Sequence, residues 1–493
     1  MRIIDLVRDL PFACEIYGNP ETEINELTAD SRTKSAGGLF FCVPGLHTDA
    51  HDFAPAAVSN GAVALVVERR LDTEAAQIKV DSVRRAMSHI AAAFYGFPAR
   101  KLKMIGITGT KGKTTTSFML RSILQEAGHP TGLIGTVCTM IGDKEYEAGK
   151  TTPDPIEFQK ILLEMVRAGM EYVIMEVSAH ALDMYRIDGV RFLTAGFTNL
   201  SQDHLDYFGT MEEYLAAKLK IAAMTDSLVV NVDDLTVVKG LKDMGASFTR
   251  VGIREPADVY ANQVEMTKTG VDFLLSFHKR ATETVHLRLS GIFNVYNALM
   301  AAALADKAGM SMDSVKKGLE ALKNVPGRVE LLDTNTPYRV ILDYAHSPDA
   351  LENILSTVRQ TARARVIALF GCGGDRDHDK RPVMGEIGGR LADHCILTSD
   401  NPRTENPMVI LAAIENGIKP TGKSYEVIEN RREAIRKALR MAEDGDIIVL
   451  AGKGHETYQE IMGVKRPFDE KVIVSELLRE IREEKENRDP AEN

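Results

Sequence analysis

The segment Gly106-Ile107-Thr108-Gly109-Thr110-Lys111-Gly112-Lys113-Thr114-Thr115-Thr116 carries the residue types needed to hold a nucleoside triphosphate. Its glycines let backbone N–H groups approach phosphate oxygens closely, and the start of a following helix adds positive potential. Gly109, Thr110, Lys111, Gly112, Lys113, Thr114 and Thr115 are therefore expected to bind ATP. Lys113 would reach the β- and γ-phosphates, and the Thr114 hydroxyl would ligate Mg²⁺. The common G-x-x-x-x-G-K-T spacing is not met, because Ile107 stands at the first glycine position. A second oxygen ligand is Glu176, which follows the apolar run Tyr172 to Met175. That places a carboxylate at the end of a strand, where open α/β sheets bind ligands. Magnesium suits such a site, since it takes few protein oxygens and fills its shell with water and phosphate.

Other candidates are weaker when read alone. Thr210-Met211-Glu212-Glu213 is a capping box, so a helix starts there with Lys218 two turns in, nominally a solvent-exposed lysine. Asn294 and Asn297 offer both donors and acceptors, as an adenine edge requires, but also suit helix capping. Five segments follow the phosphate loop in order. They are Glu176-Val177-Ser178-Ala179-His180, Asn199-Leu200-Ser201-Gln202-Asp203-His204-Leu205-Asp206, Gly291-Ile292-Phe293-Asn294-Val295-Tyr296-Asn297-Ala298, Pro326-Gly327-Arg328 and Asp343-Tyr344-Ala345-His346-Ser347-Pro348-Asp349-Ala350. Together with the variant loop G-T-x-G-K-T-T, they resemble the Mur ligases of bacterial cell-wall synthesis and the related folylpolyglutamate synthetases. The resemblance covers nearly the whole chain.

That resemblance implies roles the residues do not declare by themselves. Lys113, Glu176, His204 and Lys218 would be catalytic, with His204 beside a second metal. Lys218 would be carbamylated by CO₂, turning a cation into a carboxylate-like metal ligand; the reaction needs a neutral amine, which desolvation favours. Asn294 would meet adenine. Arg328, Asp343 and His346 would contact ATP from the C-terminal side, Arg328 at phosphate, so that domain closure accompanies catalysis. Ser31 in Thr28-Ala29-Asp30-Ser31-Arg32, and His47, Thr48 and Asp49, would hold the uridine diphosphate of a nucleotide-sugar substrate. Thr151, Thr152, Ser178 and Arg186 would contact its muramoyl peptide.

Within that family, Asp400-Asn401-Pro402-Arg403, Gly373-Gly374-Asp375-Arg376-Asp377 and Gly452-Lys453-Gly454-His455-Glu456 resemble the branch that adds meso-2,6-diaminopimelate to UDP-N-acetylmuramoyl-L-alanyl-D-glutamate. Arg376, Asp400, Asn401, Pro402, Arg403, Gly452 and Glu456 would bind the amino acid. Arg403 would clamp the distal carboxylate that lysine lacks, Asp400 and Glu456 would pair with the ammonium, and Arg376 with a carboxylate. In a lysine-adding relative, Arg403 would be left buried without an anion. The implied reaction phosphorylates the D-glutamate side-chain carboxylate with ATP, and a neutral amine then attacks the acyl phosphate. The alternatives are a family member adding lysine or glutamate, and a nucleotide-dependent switch, which would not need Glu176, His204 and Lys218.

These residues need a scaffold of alternating strands and helices. Residues 1–98 read as a small N-terminal α/β domain, with strands at Gly38–Phe41 and Ala62–Val67 and punctuation at Gly96-Phe97-Pro98. Residues 99–328 read as a central ATP-binding domain on a mostly parallel P-loop ATPase-like sheet. Its strands include Met104–Thr108, Tyr172–Val177 and Leu228–Val232, and a helix covers Thr115–Ala127. Residues 329–493 read as a Rossmann-like α/β domain with strands near Arg339–Leu342, Val366–Phe370, Cys395–Thr398 and Ile447–Ala451. The charged tail from Arg479 reads as a solvated helix end that frays.

Composition narrows the class further. The chain has 493 residues, 44% of them hydrophobic, enough for about three separate cores. With 60 basic and 70 acidic residues its net charge is −10, which argues against a generic nucleic-acid binder. Five scattered cysteines without a CxxC pair point to a reducing compartment. Asp5 interrupts the first apolar stretch, as a signal peptide would not, and no run is long enough to span a membrane. A cytoplasmic monomer is expected.

Overall fold

The computed structural model describes residues 1–45, 48–267, 270–278 and 281–488. Three α/β layers follow one another along the chain. The first is a five-stranded sheet in the order Glu15–Tyr17, Ala76–Lys79, Ala62–Val67, Gly38–Phe41, Glu26–Thr28. Four of its strands are parallel, and Glu15–Tyr17 closes one edge antiparallel. The runs Gly38–Phe41 and Ala62–Val67 are buried at all but one position, which suits strands covered on both faces.

The central sheet has eleven strands. Its middle is parallel, as expected: Val259–Met266, Thr249–Gly252, Leu228–Asn231, Thr194–Phe197, Lys103–Thr108, Tyr172–Glu176 and Thr131–Ile134 lie side by side. The departures from parallel that a mostly parallel sheet allows lie at its two ends. Val271–Phe277 and Ala281–Leu287 extend one end antiparallel, and Cys138–Ile141 and Lys144–Glu147 extend the other. Lys144–Glu147 is exposed along its whole length, so no apolar alternation marked it as a strand.

The third sheet runs Glu330–Leu332, Arg339–Asp343, Ile447–Ala451, Val366–Phe370, His394–Leu397, Ser424–Val427, parallel except at its first edge. The last helix, Glu470–Arg488, is better anchored than its charge suggested. Leu477, Leu478 and Ile481 are buried, and Glu476, Glu480 and Glu484 pair with Arg432, Arg436 and Arg440 of the helix Arg431–Met441. Residues 489–493 of that tail lie outside the described residues. Among the described residues no helix is long and apolar enough to cross a membrane.

The helix Lys113–Glu126 carries the phosphate loop at its N-terminus and is seated by close contact with Met312–Ala321. Gly318 makes the contact possible, because a Cβ there would stand 2.4 Å from Ile123 Cα. The Ser122 hydroxyl donates to the Gly318 carbonyl at 2.7 Å. Gly318→Ala should therefore force the two helices apart and cost about 1–3 kcal/mol, as overpacking does. Thermal melting followed by circular dichroism should show the transition several degrees lower, and an unchanged melt would refute this packing.

Candidate active site

The strands Lys103–Thr108 and Tyr172–Glu176 are parallel neighbours in register, with Glu176 opposite Ile107. Their carboxyl ends therefore emerge together, and the loop 109–112 lies beside Glu176. Gly109 and Gly112 have φ of +140° and +85°, conformations that glycine adopts without a Cβ penalty. Space demands glycine as well: a Cβ at 109 would sit 1.9 Å from Thr198 Oγ1, and one at 112 would sit 2.3 Å from Asn297 Oδ1. Asn199 clamps the loop from the next strand end. Its Oδ1 accepts from Lys111 N at 2.9 Å and its Nδ2 donates to Lys111 O at 3.0 Å.

Glu176 is 1% exposed. It accepts from Thr114 Oγ1 at 3.0 Å, Thr136 N at 3.0 Å and Thr136 Oγ1 at 2.9 Å. These donors are all uncharged, so a buried carboxylate and an adjoining hydroxyl present oxygen to a hard cation. Arg328 Nη2 also reaches Thr114 Oγ1, at 3.3 Å. Among the described residues no group of three or more His, Cys, Asp or Glu side chains could hold a metal. A magnesium ion held mainly by phosphate, water and one or two protein oxygens needs no such group.

Lys218 is not the exposed helix lysine its position suggested. The helix Met211–Leu219 starts at Thr210, whose hydroxyl accepts from Glu213 N, and Lys218 on it is 1% exposed. Its Nζ donates to Gly109 O at 2.8 Å and lies 4.6 Å from the Tyr214 ring centroid. Burial, and then the neighbouring Lys113, hold this amine well below the ordinary lysine range. Lys113 donates to the same Gly109 carbonyl at 2.9 Å and to Thr110 O at 3.1 Å, and burial brings its pKa down to about 8. His204 stands edge-on to His180 and Tyr214, with centroids 4.9 and 6.1 Å away. Burial pushes it down to about 4.

Two clefts open from this centre. The first, about 440 Å³, is lined by Lys111, Gly112, Thr114, Thr115, Asn294, Arg328 and Asp343 among the expected ATP residues. Asn231, Phe293, Tyr296 and Asn353, which sequence reasoning did not single out, also line it. Asn294 is held by the fold: Nδ2 donates to Ser290 O at 2.8 Å, and Oδ1 accepts from Asn297 at 3.1 Å. The second cleft, about 500 Å³, gathers His204, His346, Arg376, Asp400, Asn401, Arg403, Gly452 and Glu456. Burial pushes His346 down to about 3, and its Nδ1 pairs with Tyr344 O at 2.8 Å. Pro402 is not among the residues that line this cleft; its carbonyl packs on Gly374, where a Cβ would come within 1.9 Å. Arg376 faces Asp206 across the two sheets at 3.8 Å.

Asp400 is 5% exposed, and its Oδ2 has no hydrogen-bond partner. Burial pushes its carboxyl up, but Lys453 and Arg431 more than offset this and keep it ionised. Gly452 makes room for it, since a Cβ would sit 2.3 Å from that oxygen. Arg403, expected to clamp the distal carboxylate, lies on the second cleft. Its side chain is 23% exposed, and Glu460 lies 3.4 Å from Nε, with Gly374 O 2.7 Å from Nη1.

The expected peptide-binding residues group on one side of Glu176. Thr152 Oγ1 donates to Glu176 O at 2.8 Å and accepts from Ser178 N at 3.1 Å, while Arg186 Nη1 donates to Thr152 O at 3.1 Å. Thr151 Oγ1 lies 3.0 Å from Thr136 Oγ1. The residues expected at uridine diphosphate belong to loops of the first sheet. Asp49 caps the turn Ala50–Phe53 and pairs with His51 and Arg69; Thr48 O accepts from Gly45 N at 2.8 Å; Ser31 O accepts from Asn60 at 2.8 Å. His47 lies outside the described residues. Asp188 joins this unit to the centre, accepting from Arg85 at 2.7 Å and pairing with His89 at 3.0 Å.

Comparison with known proteins fits this geometry. Residues 107–305 match the Mur ligase middle domain, 327–454 the Mur ligase glutamate ligase domain, and 23–95 the Mur ligase family catalytic domain. A UDP-N-acetylmuramoyl-L-alanyl-D-glutamate–2,6-diaminopimelate ligase of Clostridium acetobutylicum is 44% identical over 487 residues, 98% of this chain and 100% of the relative. One of Halalkalibacterium halodurans is 45% identical over 470 residues, 94% of this chain and 96% of the relative. A solved structure of a ligase of that name superimposes with a TM-score of 0.68 at 30% identity, covering 98% of this chain and 99% of the other. The folylpolyglutamate synthase of Mycobacterium tuberculosis complexed with ADP shares the fold alone, at TM-score 0.62 and 18% identity over 75% of this chain and 92% of the other. A phosphate loop, a strand-end carboxylate and a buried lysine thus stand in a chain that belongs to the Mur ligase family.

Proposed function

We propose that this chain joins meso-2,6-diaminopimelate to the D-glutamate γ-carboxylate of UDP-N-acetylmuramoyl-L-alanyl-D-glutamate, using ATP, in peptidoglycan synthesis. The observation that carries the reading is the second cleft, where Asp400, Glu456, Arg376 and Arg403 face one space beside the phosphate loop. Two carboxylates and two guanidiniums suit an amino acid whose distal end bears both an ammonium and a carboxylate. Lysine, which has an α-carboxylate but no distal one, would leave Arg403 without a ligand carboxylate. The chain's five free thiols, four of them buried, support action in the cytoplasm.

The reaction proceeds in two steps. A γ-carboxylate oxygen of the acceptor attacks the terminal phosphorus of ATP, the bond to the bridging oxygen breaks, and ADP leaves. Lys113 and Arg328 spread the charge on the transferring group. The diaminopimelate amine then attacks the acyl carbon and loses a proton, and phosphate departs as the amide forms. Thr114 and Glu176 would hold Mg²⁺, which when bound supplies charge neutralisation at the phosphates. Burial holds the Lys218 amine well below the ordinary lysine range, which suits carbamylation, and with His204 it would complete a second cation site.

Three outcomes are expected. Phosphate release should require ATP, the nucleotide dipeptide and an amino acid together, with meso-diaminopimelate far faster than L-lysine or D-glutamate; faster turnover of lysine would overturn the assignment, and release indifferent to amino acid would indicate a nucleotide switch. Asn199→Ala, which removes both clamps on Lys111, should raise the KM for ATP about tenfold, equivalent to about 1.4 kcal/mol, with circular dichroism unchanged. Lys218→Ala should abolish activity and regain part of it with short-chain carboxylic acids, and native mass spectrometry in bicarbonate should show one CO₂ on the parent protein; full activity in Lys218→Ala would refute the carbamate.

A further inference from the structure

Beneath the floor of the second cleft lies a cation that sequence reasoning gave no role. Lys453 is 0% exposed and is not among the residues lining the cleft. Its Nζ donates to Glu456 Oε2 at 2.7 Å and to Asn401 Oδ1 at 2.9 Å. Asn401 Nδ2 closes the triangle by donating to the same Glu456 Oε2 at 2.9 Å. Asn401 Oδ1 also accepts from Glu460 N at 2.9 Å, which ties the triangle to the strand Tyr458–Ile461. One Glu456 oxygen is thus fixed by an ammonium and an amide, and the other has only the Tyr344 hydroxyl, at 3.4 Å. The Lys453 stem is confined as well, with Nζ 5.2 Å from the Tyr458 ring centroid.

A partly buried carboxylate in a cleft fails as a receptor for an ammonium when it rotates so that its free oxygen no longer faces the ligand. A fully buried ammonium fixed on one oxygen prevents that rotation, and it does so without competing for the ligand because it never reaches the cleft. We propose that Lys453 is a positioning residue for amino-acid selection: it orients Glu456 so that the free Oε1 receives the distal ammonium of the incoming amino acid. The same charge lies close enough to Asp400 to favour its ionised form, so one buried cation supports both acidic groups of the cleft. This inference rests on the reading of that cleft as the diaminopimelate site.

The test compares two amino acids that differ only at the distal amine, meso-diaminopimelate and 2-aminopimelate, with kcat/KM measured for each. The parent enzyme should prefer meso-diaminopimelate. In Lys453→Met the preference should fall at least tenfold, mainly through the KM for meso-diaminopimelate, while the KM for ATP stays within twofold. In a Glu456→Gln background, adding Lys453→Met should change the preference less than twofold, because Lys453 acts on selection through Glu456 and Arg431 still favours the ionised form of Asp400. If Lys453→Met does not fold, the comparison of Glu456→Gln with Glu456→Gln/Lys453→Met still decides, since that double variant buries no unpaired charge. An equal loss on both amino acids in Lys453→Met, or a further loss of preference of twofold or more in the double variant, would overturn the role of Lys453 alone. A parent enzyme with no preference for meso-diaminopimelate would overturn the reading of the cleft, and the inference with it.

Discussion

Two lysine ammonium groups share one backbone carbonyl at the centre of this molecule. Lys113 and Lys218 both donate to Gly109 O, at 2.9 and 2.8 Å, from helices that reach the loop from different parts of the chain. Two buried amines so close repel each other when both are protonated, and the cost falls when an anion arrives or when one of them loses its charge. The site is therefore built around positive charge that its own carboxylates only partly balance, Glu176 acting on Lys113 and Asp203 on both lysines. A triphosphate supplies further anionic charge, and Lys218, whose charged form burial disfavours, is the amine freer to react.

The sheets exist, in effect, to bring this charge together. Parallel neighbours end on the same side, so the phosphate loop, Glu176 and Asn199 emerge from adjacent strand ends of one sheet. The third sheet obeys the same rule: Asp343, Asp400 and Gly452 each lie at or just beyond the carboxyl end of a strand, and together they face residues of the central domain across the two clefts. The antiparallel hairpins at the edges of the central sheet lengthen it without contributing to this convergence.

How much of this could be read from the chain depends on whether the cause is local. The phosphate loop was legible because glycines at 109 and 112 answer to a short-range steric demand. Glu176 was legible because an apolar run stopping at a carboxylate marks a strand end. The helix containing Lys218 was legible from its cap, but the burial of that lysine was not, since it comes from Gly109 and Tyr214 closing over it. The pairing of Arg403 with Glu460 was not legible either, because Glu460 arrives on a hairpin distant in sequence. Thr136 gave no signal at all, being an ordinary threonine after a strand until the fold sets it against Glu176. Asn199, Asp203 and Lys453 were inside recognisable segments, yet nothing in their neighbours distinguished a clamp or a buried counter-charge from a surface residue.

The helix Pro348–Thr361 begins between the two clefts, and Asp349 lies on the wall of both. One turn of helix is thus a shared partition. Any substitution that lengthens or shortens the side chain at position 349 therefore changes the outline of both chambers at once.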